Sequence, residues 1–214
     1  MIAVIDYGAG NLRSIRRALE ASGADVTITS DAREIATAEA VVLPGVGAAA
    51  HAMSRLDELG LVEPVRAAAE SGRPFLGICL GMQLLFDHQE EGDAQGLGLI
   101  PGRVRSLQAN VKVPHMGWNR SRLVRPGPLG EAGDERFYYF VHSYLVEPED
   151  VSVVAAEASY GMTFPSVVVR DNVWGTQFHP EKSGTDGLAL IDRFVRRLEG
   201  LESTASVRVG SGKT

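Results

Sequence analysis

Cysteine is almost missing from this chain of 214 residues: Cys79 is the only one. A single thiol excludes any intramolecular disulfide and fits a reducing compartment. Basic residues are also few, with 21 Lys+Arg against 27 Asp+Glu and a formal net charge of -6. That balance speaks against a nucleic-acid binder, which needs a basic face to meet phosphates. No long apolar run is present. The longest uncharged stretch, Ala40 to Met53, is broken by Pro44, Gly45 and Gly47. It falls short of the ~18 residues that a membrane span needs. The opening MIAVIDYGAG reaches Asp6 after a very short apolar run with no basic segment, unlike a signal peptide. A cytoplasmic protein with no membrane and no nucleic-acid partner is expected. What the chain does have is 44% hydrophobic residues, enough apolar surface to offset chain entropy and bury a core.

The first half alternates strand and helix patterns. Ile2–Asp6, Asp25–Thr29, Ala40–Leu43 and Pro74–Ile78 read as buried strands. Asn11–Ala21 carries Leu12, Ile15 and Leu19 at helical spacing, and Val62–Ser71 ends before Gly72 as a helix does. Short strands separated by helices predict an α/β protein: a mostly parallel central sheet with helices on both faces. The second half is strand-rich. Gly102–Leu107, Tyr138–Tyr144, Val151–Ala156, Ser166–Arg170 and Val173–Phe178 are expected as strands, the last two joined by a hairpin turn at Asp171-Asn172. They predict an added antiparallel patch. Leu188–Leu198 is the last expected helix. Residues 1–200 are expected to form one domain and 201–214 a tail without fixed structure.

Two glycine motifs are declined. Gly8-Ala9-Gly10 lacks the third glycine of a dinucleotide fingerprint, since position 13 is Arg13. Gly210-Ser211-Gly212-Lys213-Thr214 has Val207 where a phosphate loop has its first glycine, with no strand before it.

Chemistry concentrates around Gly77-Ile78-Cys79-Leu80-Gly81, where a strand meets a helix expected over Leu80–Phe86. This is the thiol form of the G-x-S-x-G nucleophile elbow. The glycines two before and two after the nucleophile relieve crowding in a strained turn, and the helix N-terminus favours a thiolate. A nucleophile needs a base. His179 in Gln177-Phe178-His179-Pro180-Glu181 follows a strand, and Glu181, two residues on in an extended chain, is expected to orient its ring. Acyl transfer also needs oxyanion donors. The Leu80 N–H is one, and the loop Leu43-Pro44-Gly45-Val46-Gly47 is a candidate for the second. No metal is expected, because Cys79 already has a role and His179 and Glu181 lack further ligands nearby.

These three pieces together resemble the class I glutamine amidotransferases, over Ile2 to about Leu198. The signature stretches are Pro74 to Gln83 and Gln177 to Ser183. Within the family, Asp6 to Leu12, Leu43 to Gly47, Pro114 to Asn119 and Phe140 to Tyr144 are similar to the branch that serves histidine biosynthesis. The departure is Ala48-Ala49-Ala50, where the family often has an aromatic, which touches packing. The resemblance implies a flavodoxin-like fold and hydrolysis of glutamine through a γ-glutamyl thioester on Cys79, with His179 as base and Glu181 as orienter. It implies an oxyanion hole of Val46, Gly47 and Leu80. Glutamine would be held by Gly45, Gly47, Gln83, His142, Ser143 and Tyr144. No cofactor is implied. Ammonia would pass through a channel to a (β/α)8-barrel cyclase subunit in a heterodimer, with Asn11, Trp118 and Lys182 at that partner face. The alternatives are the glutaminase of another amidotransferase, or a stand-alone Cys-His γ-glutamyl amidase. The glutaminase of pyridoxal phosphate synthase carries Gly-Gly-Glu-Ser where this chain has Pro44-Gly45-Val46-Gly47.

Overall fold

A computed structural model describes residues 1–209 apart from Ala9, Ala109 and Pro128, with side chains described as far as Leu198. The first half runs β1 (Ile2–Ile5), α1 (Leu12–Ala21), β2 (Val26–Thr29), α2 (Ala32–Thr37), β3 (Ala40–Leu43), α3 (Ala49–Glu58), α4 (Val62–Glu70), β4 (Phe75–Ile78) and α5 (Leu80–Gln83). The second half continues with β5 (Phe86–Gln89), β6 (Ala94–Gln95), β7 (Ile100–Ser106), β8 (His115–Leu123), β9 (Glu135–His142) and β10 (Tyr144–Pro148). After these come β11 (Val154–Ser159), β12 (Thr163–Arg170), β13 (Val173–Thr176) and α6 (Gly184–Val209).

Nine strands form one sheet in the order β2-β1-β3-β4-β13-β12-β11-β8-β9. The pairs from β2 to β13 are parallel, and those from β13 to β9 are antiparallel. The parallel strands are apolar at almost every position because both faces are covered. Alternation sends Ala3, Ile5, Val41 and Leu43 to one face, where Ile35, Leu56 and Val65 of α2, α3 and α4 pack. Ile2, Val4, Val42 and Ile78 face the other way, against Ile15 and Leu19 of α1 and Ile191 and Phe194 of α6. The antiparallel half has its own core around Phe140, Phe164, Phe178 and Leu190. β10, β7, β5 and β6 form a separate sheet. Among the described residues no helix is long and apolar enough to cross a membrane.

Several expected boundaries shift. The helix after Cys79 stops at Gln83, and Phe86 opens β5. Leu80 to Phe86 is buried on all sides, so its apolar run carries no helical period. Tyr138–Tyr144 is two strands in different sheets, because the chain crosses from β9 to β10 at Ser143. Val151–Val153 is a 3-10 turn capped by Asp150, and β11 starts only at Val154. The last helix is far longer than Leu188–Leu198. It runs Gly184–Val209, and 210–214, with the declined phosphate-loop motif, lie outside the described residues. The hairpin at Asp171-Asn172 is present, with Asp171 at φ 52°.

Candidate active site

Cys79 sits between β4 and α5 with φ 53° and ψ -108°, a backbone region that a residue with a Cβ adopts at a cost. The flanking glycines are required by space. A Cβ on Gly81 would lie 1.9 Å from the Leu43 carbonyl oxygen, and one on Gly77 would lie 2.7 Å from the Gly81 carbonyl oxygen. β4 lies between β3 and β13, so the elbow opens at the carboxyl ends of three parallel strands. Thr176 at the end of β13 accepts from the Cys79 N–H at 2.7 Å.

His179 follows that same strand and is 2% exposed. Glu181 reaches it by a different route from the expected extended chain. β13 ends at Thr176, and Pro180–Lys182 forms a 3-10 turn with Pro180 at its first position, where the missing N–H is no loss. The turn folds Glu181 back so that its Oε1 lies 2.9 Å from His179 Nδ1. His179 Nε2 is buried with no hydrogen-bond partner at ordinary distance, yet the nearby Cys79 side chain bears on the ring. Burial opposes an imidazolium here. Hydrogen bonding and negative charge from Cys79 and Glu181 outweigh it and push the His179 pKa up to about 9.

Cys79, Leu80 and Gln83 line a cleft of about 510 Å³ together with Val46, Gly47, His142, Ser143 and Tyr144. The crossover from β9 to β10 at Ser143 puts those last three on its wall. Gly45 does not line the cleft. It lets the loop close on the elbow, since a Cβ there would lie 2.8 Å from both Leu80 Cβ and Tyr7 Oη. The buried Tyr7 hydroxyl donates to the Pro44 carbonyl at 2.9 Å and anchors the loop from below. Burial, with a further push from Cys79, raises the Tyr7 pKa. Gly47 has φ 91°, a conformation open to glycine.

Asn11 lies outside the cleft, but its side-chain amide donates to Glu181 Oε1. Lys182 is exposed on the same turn as Glu181. Trp118 is 58% exposed on β8, its ring edge-on to Tyr139 and close to Gly184.

Some residues here carry no local signal in sequence. Glu91 is the one carboxylate lining the cleft, and its Oε2 accepts from the Ala49 N–H at 2.9 Å. Its neighbours in sequence are loop residues, and only the packing of the second sheet against α3 brings it in. Among the described residues no three His, Cys, Asp or Glu side chains are placed to hold a metal ion. A second, more enclosed cavity lies beneath α6, near Leu123, Tyr138 and Arg193, and contains none of these residues.

The family profile described as Glutamine amidotransferase class-I matches residues 3–198. The chain belongs to the class I glutamine amidotransferases. Among relatives in this family, the imidazole glycerol phosphate synthase subunit HisH of Desulfitobacterium hafniense (strain DSM 10664 / DCB-2) is 50% identical over 196 residues, 91% of this chain and 93% of that one. Its counterpart in Geobacillus thermodenitrificans is 49% identical, covering 95% and 99%. That of Syntrophotalea carbinolica is 52% identical, covering 91% and 98%. Solved structures share the fold. A crystal structure of a glutamine amidotransferase superposes with a TM-score of 0.73 at 21% identity, over 94% of this chain and 100% of that chain. PurLQS from Thermotoga maritima gives 0.72 at 21% identity, over 92% and 98%.

Proposed function

We propose that this chain is the glutaminase subunit of an imidazole glycerol phosphate synthase, with residues 1–200 as its single catalytic domain. About half of its residues match HisH subunits across more than nine-tenths of both chains, and this observation carries the reading. The site supports it. Cys79 attacks the side-chain amide carbon of glutamine, and the carbonyl electrons move onto oxygen. The Leu80 N–H and the Val46–Gly47 backbone stabilise that oxyanion. His179 gives its proton to the departing nitrogen, the C–N bond breaks, and ammonia leaves a γ-glutamyl thioester. His179 then takes a proton from water, which attacks the thioester and frees glutamate and the thiolate. Glu181 orients His179 throughout.

The cleft chemistry suits an amino-acid substrate. Glu91, a carboxylate on the cleft wall, would meet the α-ammonium, and Gln83 with the His142-Ser143-Tyr144 wall would hold the rest of the head group. Ammonia released into water at neutral pH becomes mostly ammonium, which is no nucleophile, so a shielded path to the acceptor follows from the chemistry, and the family resemblance makes that acceptor a (β/α)8-barrel cyclase. The partner face is Asn11, Trp118 and Lys182. Supporting it, Met116, Trp118 and Phe137 are more than half exposed on the neighbouring strands β8 and β9. The reaction would yield imidazole glycerol phosphate and aminoimidazole carboxamide ribonucleotide, in the cytoplasm, within a heterodimer.

Steady-state glutamate production tests the coupling. It is measured for the isolated chain, for the chain with the barrel subunit, and for the complex with the barrel's ligand. If Gly47, with φ 91°, lets the loop flip an amide and leave the oxyanion hole incomplete at rest, the isolated chain will be slow and the liganded complex fast, and that is the expected result. Equal rates in all three would favour a stand-alone γ-glutamyl amidase.

A further inference from the structure

Gln177 plays no part in the mechanism above, yet its side chain is fully buried against the nucleophile. Its Nε2 lies 3.8 Å from Cys79 Sγ, within reach of an N–H···S hydrogen bond. An amide can be turned over, and its neighbours fix the direction of this contact. Its Oε1 accepts from Gln83 Nε2 at 3.1 Å, and Gln83 Nε2 also donates to the Tyr144 carbonyl at 3.0 Å. A carbonyl only accepts, which pins Gln83 with its nitrogen toward both partners. Gln177 must then offer Gln83 its oxygen and Cys79 its N–H.

The same carbonyl fixes a second arm. His142 Nδ1 lies 2.9 Å from the Tyr144 oxygen, so it carries the proton, and His142 Nε2 is left as an acceptor. His115 Nδ1 donates to it at 2.9 Å, and His115 Nε2 accepts from Asn119 Nδ2 at 3.2 Å. Asn119 is pinned in turn by the Ser159 carbonyl, which it donates to at 2.9 Å. Burial pushes the pKa of His142 down to about 3 and that of His115 to about 4, so both rings stay neutral and the polarity of the chain holds. Two arms therefore meet at the Tyr144 carbonyl, which accepts from both: one comes from Asn119 through His115 and His142, and the other from Gln83, whose same amide nitrogen faces Gln177.

We propose that Gln177 is the hydrogen-bond donor that stabilises the Cys79 thiolate, held in that orientation by Gln83 and the Tyr144 carbonyl. In the thiol form the S–H donates to the Val141 carbonyl at 3.7 Å. Once the proton leaves, that carbonyl can no longer bond to sulfur, and the Gln177 N–H is the neutral donor that favours the charged form. The thiolate also feels His179, Tyr7 and, through His179, Glu181 and His142; none of these is altered by a substitution at Gln177.

This assignment rests on the reading of Cys79 as nucleophile, and its test is independent of glutamine hydrolysis. Iodoacetamide alkylates a thiolate by forming an S–C bond and expelling iodide, and Cys79 is the chain's only thiol. The full chain and Gln177→Leu are compared for alkylation rate from neutral to strongly alkaline pH, with thermal melts to establish folding. The expected result is a rate about tenfold lower at neutral pH, converging on the parent at alkaline pH where ionisation no longer needs help. Gln177→Glu keeps the shape and the acceptor for Gln83, and it decides the matter if Gln177→Leu does not fold. It is expected to fall at least as far and to converge in the same way. An unchanged rate at neutral pH, or one lowered by the same factor at every pH, overturns the proposal, because the second pattern reports access and not ionisation. No glutamine hydrolysis by the parent chain in complex with the barrel subunit and its ligand, with this alkylation pattern intact, would instead overturn the glutaminase reading.

Discussion

Glu181 meets His179 through a single 2.9 Å contact, and both side chains are withdrawn from water. An orienter of this kind supports the base without replacing it. His179→Ala is expected to lower glutaminase turnover by about 10³-fold, and Glu181→Gln by less. Steady-state turnover of the two complexes checks the order, and wild-type activity in His179→Ala would remove His179 from the mechanism. The same pair leaves a mark on stability. The His179 pKa of about 9 lies above the ordinary ~6.5, so the native state binds that proton more tightly than the unfolded chain does. The resulting stabilisation is fully present below about pH 6.5 and is lost as pH rises through about 9. Thermal melts should show the gap between wild type and Glu181→Gln widest near pH 6 and narrowing above pH 9. A gap that grew with alkalinity would contradict the assignment. His142 and His115 act in the opposite sense: held neutral by burial, they stabilise the fold above about pH 6.5 and cease to as pH falls through about 4 and 3.

The elbow depends on how closely α5 crosses the ends of β3 and β4. With an added Cβ only 1.9 Å from the Leu43 carbonyl oxygen, Gly81→Ala forces backbone to move. It should cost about 3 kcal/mol, or about 10 °C in Tm for a chain of this size. A melt within about 2 °C of the parent would show the junction to be looser than drawn. The β12–β13 hairpin is secured differently. Asn172 Nδ2 donates to the Ala69 and Arg73 carbonyls at 2.7 and 2.6 Å, tying the turn to the end of α4. Asn172→Ala strands both acceptors and should cost about 2 kcal/mol in denaturant unfolding. The parallel strands could be read from sequence because burial on both faces writes them as short apolar runs between turn residues, as in Ala40–Leu43. β8 could not. His115–Leu123 lies one strand in from the sheet edge and mixes buried with exposed positions, so Asn119, Arg120 and Arg122 interrupt any apolar run. For the site, Cys79, His179 and Glu181 were legible because their spacing along the chain is itself the chemical signal. Glu91, Tyr7 and the His115–His142 pair were not, since separate elements bring them together.

The halves of the sheet divide the work. The parallel half carries the elbow and His179 at the ends of β4 and β13, and the antiparallel half carries His142 on the cleft wall and an exposed apolar face. Asn11 spans the two roles, because the residue assigned to the partner face holds Glu181. If that face docks the cyclase, Trp118→Ala should weaken the complex by about 2 kcal/mol in a binding titration, while the isolated chain keeps its low glutaminase rate. Unchanged affinity would place the interface elsewhere. In the proposed function, one thiol makes ammonia for a reaction carried out on another subunit. The most direct test is imidazole glycerol phosphate formation by a complex carrying Cys79→Ala, supplied with glutamine or with an ammonium salt. The predicted result is no product from glutamine and normal synthesis from ammonia; product formed from glutamine by that variant would contradict the claim.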